Sequence, residues 1–203
     1  MNENRSFSLM RQSALKRLEG RDPADIAAKT GIPFFPGENA FRFDGVVGEI
    51  RVSFPDYTVT PALDLWYELV LLHYLDIADG RGVGENAVSL STLKDGAIRG
   101  ADFDARCDRK LARIFAGVDE TRAAAACEAL GAVFRGDRAD LFAVFPLFPR
   151  CPAALRLWFE DDELPASGRI LFFDGAEGYL TMEDNVTIGE WLLQLLEEAL
   201  KQV

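Results

Sequence analysis

The sequence predicts an α+β fold, in which an antiparallel sheet packs with a buried central helix and a C-terminal helix. Three observations favour this class. Amphipathic segments with helical spacing lie near both ends of the chain, apolar residues alternate from residue 40 onwards, and three short apolar runs follow one another between residues 141 and 173. Helical and strand segments are grouped rather than strictly alternating, which indicates antiparallel pairing.

The first 31 residues predict two helices. Residues 7–20 have the apolar spacing of an amphipathic helix. Asp22 is expected to cap a second helix, with Pro23 as its first residue and Gly31 at its end. We expect this helical segment, residues 1–31, to pack on the rest of a single domain that covers residues 1–203.

The next segment predicts a hairpin. Apolar residues alternate on both sides of Asp44-Gly45, a dipeptide typical of tight hairpin turns. Residues 57–60 predict a short strand that leads to Pro61. Proline is well suited to the first position of a helix, so we expect Pro61 to begin the next one.

Residues 62–78 are the most apolar helical segment and predict the central helix. The glycine-rich segment 79–84 follows it. A dinucleotide-binding loop requires a strand before it and a helix after it, so this segment indicates a flexible helix exit instead.

The following residues predict a brief strand at 87–93 and two helices, at 102–116 and from Asp119 to Leu130. Three apolar runs then predict strands, which are Leu141–Phe148, Ala153–Phe159 and Arg169–Phe173. The turns between these runs are too short for a crossover helix, so we expect adjacent antiparallel strands of one sheet.

The last helix is expected to start at Asp184 or Asn185. Thr187 and Glu190 have the spacing of a capping box. Six residues give the helix one continuous apolar face: Ile188, Trp191, Leu192, Leu195, Leu196 and Ala199.

The charge balance argues against nucleic-acid binding. The chain has 33 acidic and 22 basic residues, a formal net charge of −11, whereas binding to phosphates requires a basic surface. Residues 24–32 are similar to the first half of a helix-turn-helix. The prolines at positions 33 and 36 prevent the recognition helix that should follow.

The sequence also predicts a cytoplasmic protein that does not contact membranes. Its apolar runs are far shorter than the roughly 20 residues of a membrane span, and its first residues lack the apolar core of a signal peptide. Its three cysteines, Cys107, Cys127 and Cys151, form no Cys-x-x-Cys motif, and there is one histidine. We therefore expect no metal site, no evident cofactor and reduced cysteines in or near the core.

Three motifs, in this order and spacing, resemble an uncharacterised family catalogued as domain of unknown function thirty-seven eighty-six. The motifs are Leu71–Leu75, Phe148–Pro152 leading to Leu157–Pro165, and Ile170–Asp174 followed by Tyr179–Asp184. The resemblance covers almost the whole chain and implies a source among anaerobic bacteria or archaea, but it supplies no established activity.

Some related proteins carry an added iron–sulfur domain, which implies a redox or corrinoid-related setting for the family. This chain lacks the cysteine cluster of such a domain. Residues 91–96, Ser-Thr-Leu-Lys-Asp-Gly, also depart from the family's usual Phe-Arg-Glu-Leu-Pro-Gly-Gly pattern. If that loop binds a ligand in related proteins, that role is not carried over to this chain.

His73 is the first of five candidate ligand-binding residues, because histidine is the side chain that titrates near neutral pH without perturbation. It lies among apolar residues of the central helix, where Asp76 could share its face. One interpretation is a hydrogen-bonded core histidine. The other is a general base or a single metal ligand in a pocket above that helix.

Arg150 is a second candidate, since the prolines on either side fix its backbone and aim its side chain. It would pair with Asp174 or Glu183, or clamp an anionic ligand. Cys151 is a candidate nucleophile only if folding brings His73 close to it.

Two groups of acidic residues lie in the C-terminal third. Residues 160–163 are expected at the solvated tip of a hairpin, and the alternative is a calcium or magnesium site. In the second group Asp184 and Glu190 are expected to cap the last helix. This leaves Asp174 and Glu183 as the remaining candidate ligand-binding residues.

The leading interpretation is a ligand- or partner-binding accessory domain, because no complete catalytic set can be assembled from the sequence. One alternative is a small-molecule enzyme with a pocket around His73, Arg150 and either Asp174 or Glu183. Another is a structural subunit of a larger complex that docks through its apolar C-terminal helix.

Overall fold

A computed structural model describes residues 5–203, which contain six α-helices and nine strands. The helices are α1 (Arg5–Leu18), α2 (Pro23–Thr30), α3 (Leu65–Ile77), α4 (Arg99–Ile114), α5 (Glu120–Ala129) and α6 (Met182–Leu200). The strands are β1 (Phe34–Phe35), β2 (Ala40–Gly45), β3 (Gly48–Ser53), β4 (Val59–Thr60), β5 (Ala87–Val88), β6 (Val133–Phe134), β7 (Leu141–Phe148), β8 (Cys151–Trp158) and β9 (Ser167–Phe173). The predicted α+β class is confirmed.

The larger sheet has five strands in the order β5-β9-β8-β7-β6, and every neighbouring pair is antiparallel. Leu155 in β8 pairs with Ala143 of β7 on one side and with Ile170 of β9 on the other. The prediction of adjacent antiparallel strands over residues 141–173 is therefore confirmed. The edge strand β5 is short, because it ends at Val88 and a 3₁₀ turn follows over Leu90–Thr92.

The smaller sheet has four strands in the order β1-β2-β3-β4, and β2 and β3 form the predicted hairpin. Its turn lies two residues later than expected. Gly45 pairs with Gly48, so Asp44 and Gly45 belong to the strand and the loop is Val46-Val47. Val46 is only 3% exposed, and the burial of its side chain favours this placement.

The central helix α3 is buried as predicted, but it begins at Leu65 rather than at residue 62. The carboxylate of Asp64 accepts hydrogen bonds from the backbone N–H groups of Trp66 and Tyr67 at 2.8 and 3.3 Å. This side-chain cap satisfies two N–H donors that have no partner within the helix, and so fixes the start of the helix at this point.

Helix α1 lies along α3, and an ion pair joins the two helices. Arg17 and Arg21 both contact the carboxylate of Asp76 near the end of α3. Asp76, which was expected to share a face with His73, is thus held by Arg17 of α1 and by Arg21 just after that helix. Asp22 caps α2 and Gly31 ends that helix with a φ of 74°, as predicted.

Helix α6 starts at Met182, two residues earlier than expected. Thr181 and Asp184 form its capping box, whereas Thr187 and Glu190 lie in the helix interior. The helix is 19 residues long, and in the part of the chain that the structure describes no helix is both long and apolar enough to cross a membrane.

The apolar face of α6 packs into the core of the chain itself. Ile188, Leu192 and Leu196 are fully buried there. The alternative of a structural subunit that docks through this face is therefore contradicted, because the face is already covered by the chain's own side chains.

Candidate functional site

His73 and Asp184 form the central polar pair of the site. Nδ1 of His73 lies 2.7 Å from Oδ1 of Asp184, which joins the middle of α3 to the first turn of α6. The His73 side chain keeps 17% of its surface exposed and that of Asp184 keeps 8%. The pair is thus close to solvent but shielded on most sides.

The capping box at the start of α6 orients the carboxylate of Asp184. Its Oδ2 accepts hydrogen bonds from the backbone N–H and the hydroxyl of Thr181, at 3.1 and 2.6 Å. The N-terminus of a helix also favours negative charge. Asp184 therefore has two roles, as a helix cap and as the partner of His73.

The contact with Asp184 determines which ring nitrogen of His73 is available to a ligand. A carboxylate only accepts hydrogen bonds, so His73 donates from Nδ1–H to Asp184. In this tautomer a neutral ring carries its lone pair on Nε2, which has no hydrogen-bond partner among residues 5–203. The pair can present one hydrogen-bond acceptor or proton acceptor to a ligand.

A groove of about 300 Å³ runs between α3 and α6, and we call it the α3–α6 groove. Its lining consists of Asp64, Trp66, Thr187, Glu190, Trp191 and Gln194. Neither His73 nor Asp184 lines the groove, and Asp184 lies three residues before Thr187, about one helical turn along α6. Trp66 is 41% exposed, which leaves part of its indole accessible to a ligand.

Glu183 lies beside Asp184 in the chain but pairs with a different element. Both of its carboxylate oxygens accept hydrogen bonds from the guanidinium of Arg99, each at 2.7 Å. These bonds hold the pKa of Glu183 below its usual value. The prediction that Arg150 could pair with Glu183 is wrong, because Arg99 of α4 is nearer.

Two further ion pairs join α4 to α6. Arg106 contacts Glu190, and Lys110 contacts Glu197. Basic residues of α4 thus face a row of glutamates on α6.

Arg150 links the turn between β7 and β8 to the loop that follows α3, and it does not pair with a carboxylate of the described residues. Its guanidinium donates to the backbone carbonyl of Gly80 at 3.2 Å, and its backbone N–H donates to the Tyr74 hydroxyl at 3.1 Å. The Tyr74 hydroxyl in turn donates to the carbonyl of Thr30. Asp174 is therefore not its partner either, and Arg150 forms no ion pair with the residues that the structure describes.

Asp174 holds the far end of the glycine-rich segment. Its carboxylate accepts hydrogen bonds from the backbone N–H and the side-chain amide of Asn86, at 3.2 and 3.1 Å. Its own carbonyl accepts from the N–H of Gly84 at 2.7 Å. With Arg150 on Gly80, the segment that follows α3 is tied to the body of the domain at both of its ends.

Cys151 lies in the core, where burial raises the pKa of its thiol to about 12. A thiol with such a pKa carries almost no reactive thiolate at neutral pH. Cys107 and Cys127 are also buried and free, with their pKa values raised by burial to about 12. The prediction of unpaired cysteines in the core is confirmed.

The acidic hairpin tip forms a turn. Oδ1 of Asp161 accepts hydrogen bonds from the N–H groups of Glu163 and Leu164, each at 2.8 Å. These bonds hold the pKa of Asp161 below its usual value. Within residues 5–203, no group of three or more His, Cys, Asp or Glu side chains is arranged to hold a metal ion.

Comparison with known proteins identifies the family. A sequence profile for the family described as Domain of unknown function (DUF3786) matches residues 22–195. The chain belongs to this family. The resemblance of the three motifs is thus confirmed, and the family region includes His73, Asp184 and the tryptophans of the groove. No curated protein and no solved structure matches the chain.

Proposed function

We propose that the chain is a cytoplasmic ligand-binding accessory domain, and that its ligand lies in the α3–α6 groove next to His73. The observation that carries this proposal is the 2.7 Å contact between His73 and Asp184. It fixes the imidazole on Asp184, about one helical turn from Thr187, a lining residue of the groove, and leaves Nε2 as an acceptor. Binding sites commonly combine such apolar walls with a few oriented polar groups.

The contacts favour binding over catalysis. His73 has the partner that a general base requires, but a covalent mechanism also needs a nucleophile within its reach. The Cys151 thiol is buried with a raised pKa, and Arg150 and Asp174 hold loops. The enzyme alternative therefore lacks the convergent groups that it assumed.

The first experiment tests the orientation of His73 and the position of the ligand together. When the imidazole of His73 is neutral, its ¹⁵N chemical shifts are expected to show a proton on Nδ1. A library of small amines, acids and alcohols is expected to perturb the signals of His73 and the indole N–H signals of Trp66 and Trp191. The indole N–H signal of Trp158, which lies in β8, should not shift.

Two variants separate the His73 contact from the helix cap. Thr181→Ala breaks the capping box but keeps the carboxylate of Asp184, so the Nδ1 proton should be retained. Asp184→Ala removes both the capping box and the partner of His73, so the preference of the proton for Nδ1 should be lost. A library that perturbs only residues outside the groove would contradict the proposed function.

We also expect the domain not to bind DNA or RNA at physiological salt. Phosphate binding requires several free basic side chains, and in α4 Arg99, Arg106 and Lys110 already pair with glutamates of α6. Fluorescence anisotropy of a labelled random duplex in about 0.15 M salt provides the measurement. Saturable binding at low micromolar protein would refute the expectation.

A further inference from the structure

We infer that the α3–α6 groove binds an organic cation, an ammonium or guanidinium group, which rests on the proposed function of the groove and adds the class of its ligand. Two indoles and two carboxylates line the groove, from Trp66, Trp191, Asp64 and Glu190. No lysine or arginine is among its lining residues. Aromatic faces and carboxylates together are the groups that recognise organic cations in proteins.

Each of the two carboxylates in the groove has one oxygen that accepts no hydrogen bond from the described residues. Oδ1 of Asp64 accepts from the first N–H groups of α3, and Oδ2 has no partner within residues 5–203. Oε1 of Glu190 accepts from Arg106, and Oε2 has no hydrogen bond to the described residues. A ligand with several N–H donors would satisfy both oxygens.

Gln194 adds a third acceptor. Its side-chain amide donates through Nε2 to Glu198 at 3.0 Å, which leaves the carbonyl Oε1 available to the groove. The polar groups that the groove leaves unused are thus mainly acceptors, which complement a ligand rich in donors.

Of the two indoles, Trp66 is 41% exposed and Trp191 9%, so Trp66 supplies most of the accessible aromatic surface. The ring of Trp191 packs against that of Tyr67 with 4.2 Å between their centroids, so Tyr67 supports the indole from behind. Trp66 is held from the side by Phe7, with ring centroids 5.5 Å apart and planes at 81°. Both indoles are thereby positioned before a ligand arrives, which lowers the entropic cost of binding.

Anionic and neutral ligands fit the groove less well. An anion would face the carboxylates of Asp64 and Glu190, of which Glu190 is paired with Arg106. A neutral apolar ligand would remove their free oxygens from water without replacing the lost hydrogen bonds, which is costly. The volume of about 300 Å³ suits one small molecule or one side chain of a protein partner.

The test is a titration of the full chain with four butyl compounds of similar size, followed by tryptophan fluorescence. Butylguanidinium and butylammonium are the cationic probes, 1-butanol is the neutral probe and butyrate is the anionic probe. The two cations are expected to change the fluorescence with saturation, and the other two are not. Equal or stronger binding of butanol or butyrate would overturn the inference.

Variants assign the signal to the groove. Trp66→Ala and Glu190→Gln are each expected to raise the dissociation constant of butylguanidinium by about three- to tenfold. Trp158→Phe removes the one tryptophan outside the groove and should leave that constant unchanged. Unchanged cation binding in both groove variants would overturn the inference, and Glu190→Gln keeps the test valid if Trp66→Ala does not fold.

Two further arms identify the source of the cation. Agmatine represents a free metabolite, and the peptide acetyl-Gly-Arg-Gly-amide represents a side chain of a partner protein. Tighter binding of agmatine supports a small-molecule ligand, and tighter binding of the peptide supports a protein partner. If library molecules of every charge bind in the groove equally, the cation inference fails but the proposed function stands, whereas an unperturbed groove refutes both.

Discussion

Leu72→Ala is expected to lower the free energy of unfolding by about 2–5 kcal/mol. Leu72 lies in the middle of α3 and is only 1% exposed. Its truncation removes apolar contacts and leaves a cavity that the surrounding helices can fill only in part. Urea denaturation followed by circular dichroism should show a lower midpoint with an unchanged slope.

Leu65→Ala on the same helix is the matched control. Leu65 is 54% exposed, so the same truncation should change the midpoint far less. A Leu72→Ala midpoint equal to that of the wild type would show that α3 is not the centre of the core.

Gly96→Ala is expected to destabilise the domain by about 3 kcal/mol or more, because it forces a methyl group into a closed turn. A Cβ at this position would lie well inside van der Waals contact with the carbonyl oxygen of Leu90, and 2.9 Å from that of Leu93. Both atoms belong to the backbone, so no side chain can rotate away. The turn joins the 3₁₀ segment to α4, and its distortion should loosen the start of that helix.

Thermal unfolding of Gly96→Ala and Gly37→Ala provides the comparison. A Cβ at Gly37 meets no atom within 4 Å, and its φ is not in the left-handed region. Gly37→Ala should therefore melt close to the wild type. Similar melting temperatures of the two variants would contradict the close approach at Gly96.

Much of the fold could be predicted because its signals are local. Strand periodicity and turn residues located β7, β8 and β9, and Asp22 and Gly31 marked the ends of α2. The turn of the first hairpin was misplaced because Asp44-Gly45 is a strong local signal. Burial of Val46, a tertiary effect, determined the observed turn.

The site was less predictable because its contacts link distant residues. His73 was a candidate, but its partner Asp184 is 111 residues away and was assigned only a capping role. Arg150 binds a backbone carbonyl, a group that every residue has and that leaves no trace in the sequence. Trp191 was interpreted as part of an apolar face, and only the packing of α3 beside α6 shows that it also lines a groove.

The ion pairs between α4 and α6 oppose a shift of α6 along its axis. Glu183, Glu190 and Glu197 follow one another every seven residues, and each contacts a basic residue of α4. Each exposed pair contributes little by itself. A slide of α6 by one helical turn, about 5.4 Å, would nevertheless separate all three pairs at once. The row of charges therefore opposes a one-turn slide of α6, which would also move Asp184 away from the imidazole of His73.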